Sequence, residues 1–317
     1  MTLPSPSAGP NPSGDSLWSR IMAHDLSYLF FRSPLTVVAA ILSVAIMLAA
    51  LLAPWLASMD PFDPAQVFLA DANIPPVWQD GGDPRFVLGT DDQGRDLYSA
   101  MLYGMRVSLV IGLSGVALAA TIGITLGLVA GYAGGRVDAV IMRVADVQLT
   151  FPAILIALLV NGVVQALSKG SSRETWAFGV LILSIGLSFW VQYARTIRGS
   201  TLIEKNKDYI HAARLVGQPT PLILLRHLLP NVIGPVLVIL TINLGLAIIT
   251  EATLSFLGVG LPPTQPSLGT LISIGNKYLF SGDWWIVTFP RLTLAVFVLS
   301  INLIGDWLRD ALNPRLQ

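Results

Sequence analysis

The 317-residue chain contains no cysteine, which excludes disulfides and thiolate metal sites without fixing a redox compartment. Charge is scarce as well. Asp, Glu, Lys and Arg together make up 12% of the residues, about half the usual share of a soluble domain. The net charge is zero, so nothing favours a nucleic acid or an acidic partner. No GxxxxGK[ST] phosphate loop occurs, and no serine stands in a recognisable nucleophile setting. The three histidines, His24, His211 and His227, are scattered with no carboxylate cluster beside them, which argues against a metal site. An enzyme in its own right, with a cofactor of its own, is therefore not expected. The first sixteen residues, Met1 to Ser16, lack the basic start and apolar core of a signal peptide and read as a disordered tail.

What the chain has in abundance is apolar sequence: 53% hydrophobic residues and a mean hydropathy of +0.67. A helix crossing a bilayer needs about 20 mostly apolar residues. Six stretches qualify: about Leu35–Ala57, Val107–Tyr132, Val140–Leu167, Trp176–Tyr193, Val232–Leu257 and Trp285–Trp307. The expected fold is an all-α, polytopic bundle of about six transmembrane helices. It divides into a tail (1–34), a first span (35–57), an outer loop (58–106) and a five-span core (107–317). The segment from Ser58 to Arg95 carries seven aspartates against two arginines and is too polar to insert. With the N-terminus inside, twelve Lys and Arg fall on inner segments and seven on outer ones, which favours both termini cytoplasmic. In the second span Gly123, Gly127 and Gly131 share one helical face. Small residues there permit close backbone approach, so this face is expected to meet another helix.

A basic segment, 195–231, separates the fourth and fifth spans. Its second half, YIHAARLVGQPTPLILLRHLLPN (Tyr209 to Asn231), has a helix-like front, a Gly-Gln-Pro-Thr-Pro break at Gly217–Pro221, and a second apolar stretch ending at Pro230. Two short helices with a bend between them are predicted, lying along the inner membrane face. A surface-lying amphipathic loop would be the plainest account.

The spacing of Ala212, Ala213, Gly217, His227, Leu229 and Pro230 resembles the EAA loop of ATP-binding-cassette (ABC) importer permeases. Four further blocks resemble the C-type permease subunit of dipeptide, oligopeptide and nickel importers. They are VLGTDDQGRDLYSAMLYGMRVSL from Val87, GYAGGRVDAVIMRVADVQLTFP from Gly131, LSFLGVGLPPTQPSLG from Leu254 and INLIGDWLRDALNP from Ile301. His211 stands where Glu is usual, His227 where Ile is usual, and Leu268 where Trp is frequent. The resemblance covers about Phe86 to the C-terminus. It implies a type I ABC importer permease in a bacterial inner membrane, translocating peptides by alternating access. It also implies the partners: a second homologous permease, two cytoplasmic ATPase subunits and an extracytoplasmic substrate-binding protein. ATPase coupling would fall to His211, Ala212, Ala213, Gly217, Leu229 and Pro230. Nickel, glutathione or another small solute would suit the same scaffold.

Within the spans, Glu251 is expected to face the bundle interior, either meeting a peptide ammonium or pairing with Arg106 or Arg291. Arg143 and Asp146, three residues apart, are expected to pair with each other at the inner end of the third span. Asn161 and Asn243 are expected to bond across helices. A secondary transporter would call for inverted repeats with paired broken helices, and none is evident; a membrane-bound enzyme would need a catalytic cluster. The topology is directly testable. Because the chain lacks cysteine, Val216→Cys provides a single thiol. It should resist a membrane-impermeant maleimide applied to intact cells and react once the inner face is opened; labelling from outside would overturn the orientation.

Overall fold

The computed structural model describes residues 33–167, 173–262, 264, 265 and 267–311. The expected N-terminal tail lies outside the described residues, apart from its last two positions. The described residues form helices and connecting segments, with a single isolated β-bridge between Thr90 and Asp96. Five helices are long and apolar enough to cross a membrane, or six if one bent pair counts as a span.

Helix α1 (Pro34–Leu51) starts where Ser33 caps it, accepting the Thr36 N–H at 3.4 Å, with proline in the first turn. A short turn, α2 (Ala53–Leu56), follows it. Helix α3 (Leu97–Ala133) has 37 residues and so spans about 55 Å, well beyond the hydrocarbon thickness. It begins ten residues before the expected second span, because Asp96 caps it by accepting the Ser99 N–H at 3.1 Å. It ends where Gly134 takes φ +66°, a left-handed turn that favours glycine, and α4 (Gly135–Leu149) follows at once.

The expected third span, Val140–Leu167, is not one helix. It breaks at Thr150–Pro152, and α4 meets α5 (Ala153–Leu167) at 97°. Proline disfavours the helical conformation in the residue before it, here Phe151, so the chain turns while remaining apolar on both sides. Helix α6 (Arg173–Glu204) runs past the expected end of the fourth span, which makes residues 195–204 of the expected basic loop helical. Beyond it lie α7 (Asp208–Leu215) and α8 (Thr220–Leu222), then a π-helical stretch, Ile223–Leu228, running into α9 (Leu229–Val232). Helices α10 (Gly234–Phe256), α11 (Leu268–Tyr278) and α12 (Trp285–Ala311) complete the bundle.

The most extensive helix interface joins α3 to α6. The glycine face of α3 creates it. A methyl group at Gly127 would stand 2.5 Å from the Ala194 carbonyl oxygen and 2.9 Å from the Ile197 Cβ. At Gly123 it would meet the Tyr193 Cβ at 2.5 Å, and at Gly131 the Thr201 Cβ at 2.7 Å. The reciprocal site is Gly186 on α6, which lies under Leu118 of α3. These backbones touch only because the Cβ atoms are missing. Helix α10 packs on α3 and α12, while α1 packs on α12 and α3 and turns much of its apolar surface outward.

The polar segment 58–96 folds back on the bundle instead of forming a loose loop. Ser58 Oγ donates to Asp96 Oδ2 (2.6 Å), and the Ser58 N–H donates to Ser99 Oγ (3.0 Å). Thr90 Oγ1 donates to the Asp71 carbonyl (2.6 Å) and accepts the Ile74 N–H (2.8 Å). Arg95, fully buried, donates from Nε to Asp91 Oδ2 at 2.6 Å. Trp285 Nε1 donates to the Thr90 carbonyl (3.2 Å), tying the segment to the start of α12.

Overpacking a tight core costs about 1–3 kcal/mol and sometimes more. Gly127→Leu should therefore lower the melting temperature of the purified protein by several degrees or abolish its accumulation in the membrane. Gly162→Ala, whose added methyl meets nothing within 4 Å, should leave melting unchanged.

Candidate functional site

The segment between α6 and α10 is a bent helical pair with one face fixed and the other free. Helix α7 ends at Val216 because Gly217 adopts φ +79°. The Gln218 N–H donates to the Ala213 carbonyl (3.1 Å) and the Gly217 N–H to the Arg214 carbonyl (3.0 Å). This paired pattern closes a helix with a left-handed glycine. His227 Nε2, on the second helical stretch, is hydrogen-bonded to Gln218 Oε1 at 2.7 Å, which bridges the two arms of the bend.

Ile210 and Ala213 of α7, with Ile223, Leu228 and Val232 beyond the bend, are buried in one cluster with residues of α3 and α6. Each fully buried isoleucine contributes about 1.5–3 kcal/mol to holding the segment there. Polar contacts fix its ends. Lys205 Nζ donates to the Gly131 carbonyl (2.7 Å) near the C-terminus of α3, where unpaired carbonyls favour a cation. The Arg214 guanidinium lies 4.8 Å from the Tyr132 ring centre and donates to its hydroxyl (3.2 Å). Tyr209 Oη donates to Glu204 Oε1 at 2.6 Å. Burial first, and the Glu204 carboxylate second, push the Tyr209 phenol up to about 12, so it stays a donor at neutral pH.

The six expected coupling residues divide between the two faces. His211, Ala212, Gly217 and Pro230 are exposed, whereas Ala213 is buried and Leu229 packs against the cluster. Ala213 thus seats α7 on this chain's own core, and Ala212 beside it faces outward. The tip between them is apolar: Leu215 is 89% exposed and Val216 80%.

Helix α4 is clamped to α6 beside this segment. Arg198 donates to both oxygens of Asp138, at 2.5 and 2.6 Å, and Trp190 Nε1 to Gln148 Oε1 at 2.7 Å. The expected Arg143–Asp146 pair does not form. Asp146 instead accepts from Arg195 on α6 at 2.5 Å, and Arg143 faces a cavity of about 410 Å³ with Val147 and Phe151. The reason is geometric: Ala145, between the two, is the buried contact to α6, so Asp146 flanks that contact and Arg143 points away.

Glu251, in α10, is fully buried. The structure corrects the expected pairing with Arg106 or Arg291. Ser108 Oγ of α3 donates to Oε2 at 2.6 Å, Ser255 Oγ to Oε1 at 2.7 Å, and the Ser267 hydroxyl lies at the same carboxylate. Ser267 also caps α11, accepting the Thr270 N–H at 3.2 Å. Arg291 is turned to Asn276 Oδ1, 2.9 Å away. One side chain thereby links α3, α10 and the start of α11. Asn243 likewise departs from expectation: its amide lies beside the Tyr193 hydroxyl of α6 without a well-formed hydrogen bond.

Two family descriptions match the chain. The binding-protein-dependent transport system inner membrane component covers residues 123–317, well over half of the sequence. The N-terminal transmembrane domain of oligopeptide transport permease C covers 16–76. The chain belongs to the binding-protein-dependent transport family of inner membrane components. It is similar to the di/tripeptide transport system permease protein DppC of Pseudomonas aeruginosa, with 40% identity over 86% of this chain and 85% of that one. The dipeptide transport system permease proteins DppC of Haemophilus influenzae (35% identity; 92% and 94% covered) and Escherichia coli K12 (38%; 92% and 92%) are also similar.

As a binding-protein-dependent transport component, the chain is a multi-pass membrane permease and not an enzyme; ATP hydrolysis lies in partner subunits and substrate capture in a binding protein. Within this permease, two groups of side chains escape a sequence reading based on spacing alone. Leu215 and Val216 are apolar residues left at a polar turn, and their position immediately before the breaking glycine was the available signal. Ser255 stands one helical turn after Glu251 and was findable by that spacing; Ser108 and Ser267 come from distant sequence and carried no signal. Leaving a buried hydroxyl unpaired costs about 1–3 kcal/mol. Ser108→Ala should lower the melting temperature of the purified permease modestly. Glu251→Ala, which orphans several hydroxyls at once, should lower it at least twice as far.

Proposed function

We propose that the chain is one of two homologous permease subunits of an ATP-driven importer of di- or oligopeptides. The other subunits are a second permease, two cytoplasmic ATPases and an extracytoplasmic binding protein that delivers the peptide. The observation that carries the coupling role is the bent segment 205–232: anchored on one face by Ile210, Ala213, Ile223 and Leu228, it offers Leu215 and Val216 almost wholly to solvent. An apolar tip held this firmly suits a cleft on a partner protein, since isolated exposed apolar pairs on a rigid turn gain by burial. The Lys and Arg distribution supports a cytoplasmic position for both termini and this segment, which leaves the segment 58–96 to face the binding protein. His211, Ala212, Gly217 and Pro230 border the tip; Ala213 and Leu229 hold it in place. Closure of the ATPases on ATP would move the segment and, with it, α3 and α6. The peptide assignment is supported by relatives named for di- and tripeptide transport.

The test is reconstitution of the permease with its cognate partners. Wild-type complex should accumulate labelled dipeptide in an ATP- and binding-protein-dependent manner. Leu215→Asp, at an exposed site, should insert normally yet reduce uptake roughly tenfold or more, the range of an interface hot spot. Uptake unchanged in that variant would remove the coupling role, and wild-type complex that binds and imports no peptide would remove the substrate class.

A further inference from the structure

With Glu251 satisfied by serine hydroxyls, Arg106 is left over. It lies on α3 at the outer edge of the apolar stretch, exposed, and makes no ion pair or hydrogen bond with any described residue. Ionisable residues of membrane-spanning helices are rare, and one without a structural partner is a candidate for a substrate pathway. Arg106 lines a cavity of about 570 Å³, together with Phe62, Tyr103, Val110, Phe178 and Gln265. That volume is within the range of small-ligand sites.

The chemistry of the walls is specific. Phe62 meets Tyr103 edge-to-face at 5.3 Å between ring centres, forming an aromatic wall between the segment 58–96 and α3. The Gln265 amide oxygen has no hydrogen-bond partner. Asp60, near enough to Tyr103 to act on it electrostatically, already accepts the Phe62 N–H through Oδ1 at 2.9 Å. The cavity therefore combines a guanidinium unpaired among the described residues, apolar walls and, at its edge, Gln265 with a buried, unsatisfied amide oxygen. A guanidinium fork matches a carboxylate, and among the described residues no carboxylate pairs with Arg106.

We infer that this cavity is a transit site for the peptide, in which Arg106 holds the C-terminal carboxylate while Phe62, Tyr103 and Phe178 border the side chains. The inference rests on the peptide reading above and on the orientation that puts this cavity at the outer mouth. It gives the permease a substrate contact of its own, selective for a free carboxyl end.

The experiment uses the assembled complex in nanodiscs and a dipeptide bearing a diazirine side chain, with the sites of photolabelling mapped by mass spectrometry. Labels are expected on cavity residues such as Tyr103, Val110 or Phe178. An unlabelled free-acid dipeptide should displace them about tenfold better than its C-terminal amide, and Arg106→Gln should erase that preference while Arg106→Lys retains part of it. Basal ATPase activity of the variant complexes reports intact assembly. Labelling elsewhere, or equal competition by acid and amide in the wild type, would overturn the site. Dipeptide uptake by the same wild-type complex separates the two ideas: uptake without cavity labelling removes only the site, whereas absence of any peptide uptake removes the reading beneath it.

Discussion

Everything in this permease hangs on the contact between α3 and α6, where backbone meets backbone. In lipid, helices gain nothing from hiding apolar side chains from other apolar matter, so association depends on how closely they can approach. Gly123, Gly127 and Gly131 remove the side chains that would hold α6 away. Because the contact extends to Thr201 and Arg198, the last turns of α6 are carried to a fixed position beside the end of α3. That position is where Lys205 and Arg214 find Gly131 and Tyr132. The bent segment is therefore located by the packing of the two longest helices, not by its own local propensity.

Much of this was legible in the sequence, and the reasons differ from element to element. Hydropathy located the spans because a helix in lipid has no choice but to be apolar. The glycine face announced a close contact because its spacing is helical. The bend at Gly217 was readable from a glycine followed by two prolines. What hydropathy does not record is direction: residues 135–167 stay apolar across a 97° turn, and only Pro152 hinted at it. Nor does it mark where a helix ends in polar sequence. Helices α3 and α6 both extend beyond their apolar stretches, one because Asp96 caps it and the other because its charged last turns are paired with α4.

Charge pairing was the least legible feature. Neighbours on one helix can pair, but a helix packed through Ala145 spends its flanking charges on the helix opposite, and so Asp146 goes to Arg195. Glu251 shows the same logic with hydroxyls. Three serines from separate elements share the carboxylate, an arrangement that binds α11 to α3 and α10 without introducing a second charge into the bundle. Sequence alone suggests an arginine partner because Ser108 and Ser267 are far from Glu251 along the chain and carry no spacing signal.

These two devices bear on how motion would pass through the permease in its proposed role. A push on Leu215 and Val216 cannot be absorbed at the bend, since the closing bonds to Ala213 and Arg214 and the His227–Gln218 bridge resist its opening. It cannot be absorbed by sliding either, because Ile210, Ile223 and Leu228 are locked into the α3–α6 cluster and packed interiors deform little. The displacement must then appear as a movement of α3 and α6 together. Ser108 sits on α3 and reaches Glu251, which reaches Ser267 and α11. A force applied at the tip of α7 thus has a continuous, stiff route to the segment bordering the 570 Å³ cavity, where Thr264 and Gln265 stand beside Arg106.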